Sequence, residues 1–288
     1  MIYRIFVVIF FAVTISAQTD NSNKFEILPD GLHFLPLKAH FQEARIGVLY
    51  YPDNGNLKVD VGNNIDLVYF SLFCERHRFT LGIEFMAYAW SSSFQGNRLQ
   101  IDAVDGFFGG NLSYSYNYDN SRFISRFRFI HNSAHLVDGR YDKDRDEWIE
   151  GYDPIPYTRD FAELTIGHQF YPSFGSVRFY GAVSYSTLVR PSELQRAGAF
   201  TGLEVSFKDI VGKIFKKDSN IFFAMQFSAF GNPNHTMDLH LMSGIKIGEW
   251  DSKGAVFYLS YYKGHHVFSE FYTRFQEKFG IGFLVDFI

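Results

Sequence analysis

Phe123-Ile124-Ser125-Arg126-Phe127-Arg128-Phe129-Ile130-His131-Asn132-Ser133 alternates at its centre between arginine and phenylalanine, Arg126-Phe127-Arg128-Phe129. Successive side chains of an extended chain point to opposite faces, so Phe123, Phe127, Phe129, His131, Ser133 and then His135 share one face. Arg126, Arg128 and Asn132 share the other. Arginine costs several kcal/mol in hydrocarbon but is tolerated in a watery lumen. The stretch therefore reads as a strand with phenylalanine toward lipid and arginine toward the inside of a barrel.

The same period of two runs through the chain. Phe79, Leu81, Ile83 and Phe85 alternate with Thr80, Gly82 and Glu84; Val177, Phe179 and Val183 alternate with Arg178, Tyr180 and Ser184; Phe257, Leu259 and Tyr261 repeat the pattern. Twelve such segments begin near residues 44, 58, 77, 104, 121, 158, 176, 198, 219, 236, 254 and 276. The number is even, as single-chain bacterial barrels usually require, and long connections (Ser91 to Ala103, Val137 to Tyr157, Gly264 to Arg274) alternate with short ones near Glu75, Asp119, Ser173 and Ser252. Two connections break this rhythm: the turn after the first segment is short, and Lys208 to Ser219 is a long basic stretch that reads as a surface helix. The fold class expected is all-β, a transmembrane antiparallel up-and-down β-barrel of about 12 strands. A soluble β-sandwich or lipocalin-like barrel also alternates, but twelve aromatic-rich faces would overfill a closed soluble interior.

Among 288 residues stand 34 Phe and 18 Tyr, more aromatic surface than one soluble core readily hides. The net charge of −4 lacks the basic stripe that nucleic acid demands, so no such partner is expected. Arg4, the apolar run Ile5 to Ile15, and Ser16-Ala17 have the order of a cleavable secretory signal, and an anchoring helix would need about 20 apolar residues. The expected division is 1–17 signal, 18–43 an N-terminal periplasmic segment and 44–288 the barrel. The single cysteine, Cys74, excludes an intrachain disulfide and reads as a turn or strand-end residue.

The closing run Phe279, Ile281, Phe283, Val285 and Phe287 resembles the C-terminal assembly signal of outer-membrane proteins, although Ile288, not an aromatic residue, is last. That resemblance implies the outer-membrane assembly machinery as a partner. Pro29-Asp30-Gly31-Leu32-His33-Phe34-Leu35-Pro36-Leu37-Lys38-Ala39, His131-Asn132-Ser133-Ala134-His135-Leu136 and Tyr157-Thr158-Arg159-Asp160 resemble motifs of a bacterial family known only as a domain of unknown function and regarded as outer-membrane barrels. Val137-Asp138-Gly139 departs from that family's Gly-Asp-Glu.

Parity also assembles one set of residues that could carry chemistry. Ser133 and His131 face outward near the end of an outgoing strand, and Asp160, sharing parity with Ala162, Leu164 and Ile166, faces outward on the next strand at the same end. A serine beside a histidine oriented by an acid is how hydrolases activate a weak alcohol nucleophile, and toward lipid the natural substrate is an acyl ester. The arrangement resembles outer-membrane phospholipase A and the lipid A deacylases, which implies Ser133 as nucleophile, His131 as general base, Asp160 as orienting acid, outer-membrane lipids as partners and calcium as cofactor. Those enzymes carry Asn after the serine, where this chain has Ala134. Arg126, Arg128, Glu163 and Arg178 are expected to form a lumen charge network that either plugs the barrel or tunes a pore. His265-His266 are expected as solvated loop residues, and no metal site is expected. Three functions follow: lipid esterase, passive small-solute channel, or non-catalytic structural or assembly barrel.

Overall fold

The computed structural model describes residues 23–94, 98–137, 140–149 and 154–287. The expected signal, residues 1–17, lies outside them. In chain order the strands are β1 (Lys24–Ile27), β2 (Ile46–Tyr51), β3 (Asn56–Leu72), β4 (His77–Phe94), β5 (Arg98–Asn117) and β6 (Ser121–Leu136). A small hairpin of β7 (Tyr141–Asp142) and β8 (Glu147–Trp148) lies in the next loop. The wall then resumes with β9 (Thr158–Phe170), β10 (Gly175–Arg190), β11 (Ala197–Lys208) and β12 (Ser219–Ala229), and ends with β13 (Asp238–Ile247), β14 (Gly254–His265) and β15 (Phe275–Asp286). Every pairing among them is antiparallel; β6 pairs with β9, and β15 returns to β2 with Ile281 opposite Tyr50. With β3 paired to both β2 and β4, twelve described strands close into a barrel, β1 being an extra strand on the lower part of β3.

Eleven of the twelve begin within two residues of expectation. The exception is β5, which starts at Arg98 instead of near 104 because β4 and β5 remain paired past Trp90, through a bulge, where Ser91 to Ala103 reads as loop. The Lys208 to Ser219 stretch is not helical either. It folds into a tight turn with Ile214 bridged to Lys217, and Phe215 and Lys216 take positive φ. Cys74 occupies the exposed turn after β3, as expected, with φ of 56°.

The barrel is inverted relative to a soluble protein. Phe85, Phe108, Phe127, Phe129, Leu164, Phe179, Leu259 and Phe283 are exposed on its outside, while Arg126, Arg128, Lys58 and Lys246 are buried within. At the end opposite Ser133, His77, Tyr114, Tyr116, Tyr118, His168 and Phe170 contact one another in sequence as an aromatic belt, the residue type that sits at membrane–water interfaces. An exposed apolar band this extensive belongs against lipid. Leu164→Arg, near mid-height, is therefore expected to destabilise the barrel by roughly 2 to 4 kcal/mol, against about 0 to 1 for Leu188→Arg at the rim. Urea unfolding in lipid vesicles, followed by heat-modifiable migration, measures both; equal losses would contradict this depth assignment.

The interior is filled by the chain's own leading segment. Residues 29–43, expected in a periplasmic segment ahead of the barrel, instead run inside the ring together with Ala44 and Arg45, and Phe34, Leu37, Ala39, His40 and Glu43 are buried there. Phe41 stacks on His240 at 4.1 Å and His40 on Phe200 at 4.5 Å. The Arg126 guanidinium lies 4.3 Å from the centre of the Phe34 ring.

Candidate functional site

β6 and β9 lie side by side in a register that sets His131 opposite Asp160 and Ser133 opposite Thr158. Both strands are continuous here, so outward parity carries His131, Ser133 and Asp160 to the lipid-facing side at the loop-rich end. His131 Nδ1 lies 2.5 Å from Asp160 Oδ1. In a neutral ring such a contact sets the tautomer, with Nδ1–H donating to the carboxylate and the lone pair on Nε2. Both side chains remain partly open, 33% and 26% exposed, so the pair is reachable from the lipid side. Ser133 is half-buried on the same face, one pleat repeat further out, with Gly106 of β5 opposite it. Ala134, where the resembling enzymes carry Asn, points inward and is buried, its N–H donated to Tyr157 O at 3.4 Å.

The four expected lumen residues all lie inside the ring, and their partners are what sequence reading missed. Arg126 holds Glu43 of the inner segment with two hydrogen bonds, of 2.5 and 2.9 Å. Arg128 binds Glu163 at 2.8 and 3.1 Å, and also reaches Glu84, Gln42 O and His40. Arg178 binds Glu204 and donates to Leu35 O and Pro36 O at 2.9 and 3.1 Å. Lys38 Nζ and Lys246 Nζ both lie 2.7 Å from Asp286. The network therefore fastens a plug. No spacing signal in residues 29–45 announces these pairs, because each joins residues far apart in the chain.

His265 and His266 are not solvated loop residues. His265 closes β14 and contacts Asp238 through Nδ1 at 2.9 Å, while desolvation lowers the pKa of His266 to about 4. They border a small chamber of about 60 Å³ between the plug tip and the outer loops. Glu270, in the 3-10 turn Ser269–Phe271, accepts from Ile155 N at 3.2 Å, and desolvation raises its carboxyl to about 7. A carboxyl raised on folding favours the fold while protonated, so this contribution is present below about pH 4.5 and lost as pH rises through 7. Hydrogen exchange in residues 266–274, corrected for intrinsic rate, is expected to be faster at pH 8 than at pH 5 in the native chain, and Glu270→Gln should flatten the difference.

Calcium is implied only by resemblance. Among the described residues no three His, Cys, Asp or Glu side chains gather as a metal site, and Asp160, the carboxylate at the site, is engaged by His131.

No family model matches the chain, and no curated protein matches it. Among solved structures it is similar to the toluene transporter TodX of Pseudomonas putida, at 11% identity and a TM-score of 0.43, over 81% of this chain and 69% of that one. It is also similar to the β domain of the Bordetella autotransporter BrkA, at 10% identity and a TM-score of 0.43, over 83% and 94%. A bacterial polysaccharide outer-membrane secretin is similar at 12% identity and a TM-score of 0.35, over 84% and 96%. These are likenesses in the course of the chain at low overlap, and they carry no function to this one.

Proposed function

We propose that this protein resides in the bacterial outer membrane and hydrolyses acyl esters of outer-leaflet lipids at Ser133. The observation that carries the reading is the His131–Asp160 contact of 2.5 Å on the lipid-facing side, with Ser133 two residues along the same strand face. The pair is partly open on the side from which a lipid ester would approach.

In this mechanism His131 Nε2 takes the Ser133 hydroxyl proton as Oγ bonds to the ester carbonyl carbon. The carbon–oxygen bond to the lipid alcohol then breaks, and that alcohol leaves with the proton from His131. Water, deprotonated by the same Nε2, releases the fatty acid and restores Ser133. Asp160 holds the ring and stabilises the imidazolium that forms in each half.

Against a passive channel stands the packed interior: Arg126, Arg128, Arg178 and Lys246 are committed to plug or wall partners instead of lining open water. The test is fatty-acid release from phospholipid and from lipid A by purified, heat-modifiable protein in mixed micelles, with and without added calcium. Product under either condition is the expected result. No product from well-folded protein under both would overturn the reading.

A further inference from the structure

Two glycines beside the site are not required by the wall. A Cβ added at Gly106 would come no nearer than 3.8 Å to Ser133 Oγ, and one at Gly110 no nearer than 3.4 Å to Gly82 O. Gly109 between them differs, because a Cβ there would stand 2.0 Å from Phe129 O. Both permissive glycines face outward, Gly106 opposite Ser133 and Gly110 opposite Phe129. Gly110 leaves empty space outside the barrel. That space is a groove of about 380 Å³ on the outer wall, with His131 at one end and Leu81, Phe108, Leu112, Phe127 and Phe129 along it. Its lining is apolar except at the His131 end and at Asn111.

We propose that this groove is the acyl-chain subsite, holding one fatty-acyl chain of the lipid whose ester carbonyl lies at Ser133; the proposal rests on the esterase reading above. Direction supports the occupant. β6 rises from Phe127 through Phe129 and His131 to Ser133, so the groove descends from the reacting end toward the middle of the membrane, as an outer-leaflet acyl chain does below its ester. From His131 down to Phe127 the strand covers about 13 Å, at about 3.3 Å per residue. Gly106 keeps the β5 side of Ser133 uncovered for the carbonyl, and Gly110 leaves the depression in which methylenes replace neighbouring lipid. Rings at Phe108 and Phe129 flank the chain, and His131 packs on Phe108 with ring centres 4.9 Å apart.

Filling the groove tests this. Gly110→Leu is expected to lower the ratio of long-chain to short-chain ester hydrolysis severalfold, since the added side chain fills the depression and removes the packing contacts methylenes make there, neighbouring lipid being equally apolar. Gly181→Leu is the control, an outward glycine on β10 whose added Cβ meets nothing within 3.8 Å, and it should leave that ratio unchanged. An unchanged ratio in Gly110→Leu, or an equal fall in both variants, would overturn the subsite. A second measurement runs without turnover: phosphatidylcholine carrying a mid-chain diazirine is photolysed in phosphatidylcholine proteoliposomes, and adducts are mapped by mass spectrometry. Adducts concentrated on Leu112, Phe127 and Phe129 over Phe257 and Phe283 support the groove, and an even spread around the barrel overturns it. A wild type that hydrolyses nothing yet shows concentrated adducts would remove the esterase reading alone.

Discussion

Ser133→Ala is expected to reduce lipid hydrolysis by roughly 10⁴- to 10⁶-fold while leaving heat-modifiable migration as it is, because removing a nucleophile ends covalent catalysis outright. His131→Ala should lose nearly as much, since the serine hydroxyl is a poor nucleophile without a base. The two losses should not add, because both residues serve one step, and the double variant is expected to resemble Ser133→Ala. Asp160→Asn is expected to be milder than Asp160→Ala: an amide oxygen still accepts from His131 Nδ1, whereas alanine leaves the ring free to turn. All three side chains are on the outer surface and partly exposed, so none of these changes opens a cavity. Fatty-acid release across the series, with migration of each variant checked unheated and boiled, reads the result. Wild-type rates in Ser133→Ala would end the esterase reading.

The other large effect belongs to the plug. Glu43→Ala removes the only acidic partner among the described residues that hydrogen-bonds Arg126, a guanidinium with 0% exposure. Stripping one member from a buried ion pair leaves an uncompensated charge and is expected to destabilise by about 3 to 5 kcal/mol. Replacing both members with apolar residues, as in Glu43→Leu with Arg126→Met, should restore most of that loss, since no orphaned charge remains. Glu277→Ala, which breaks an exposed pair with Lys263, should have no measurable effect. Unfolding midpoints in urea separate these cases. A Glu43→Ala barrel as stable as wild type would mean that Arg126 finds another partner and that the plug is not held as described.

The wall was legible in the sequence because a period of two leaves no freedom: once Arg126 is inside, Phe127 and Phe129 are outside. Asp160 comes beside His131 through the pairing of β6 with β9, two strands joined by a long connection, so that register is set across the wall and not by a short turn. Sequence reading misplaced the start of β5 because Ser91, Ser92 and Ser93 have little strand preference of their own and are held by pairing with Leu99 to Ile101. The plug was hidden for a different reason. Residues 18–43 read as a periplasmic segment, whereas partners of Lys38, His40 and Glu43 stand 248, 186 and 83 residues away in the chain. The groove was equally hidden, since Gly110 is an ordinary gap in a strand until the wall shows that a Cβ would fit there.

The plug also bears on how the ring comes to be. Segment 29–45 is made before any wall strand, and its grips are distributed over β6, β10, β11, β13 and β15. The ring closes only when β15, at the end of the chain, meets β2. The leading segment thus meets partners from strands spread along the whole chain, and its grips are complete only in the closed ring. Bore is set by strand number and hydrogen-bond stagger, so a ring closed without the segment would keep its girth and enclose an open, charge-lined bore in place of a packed one.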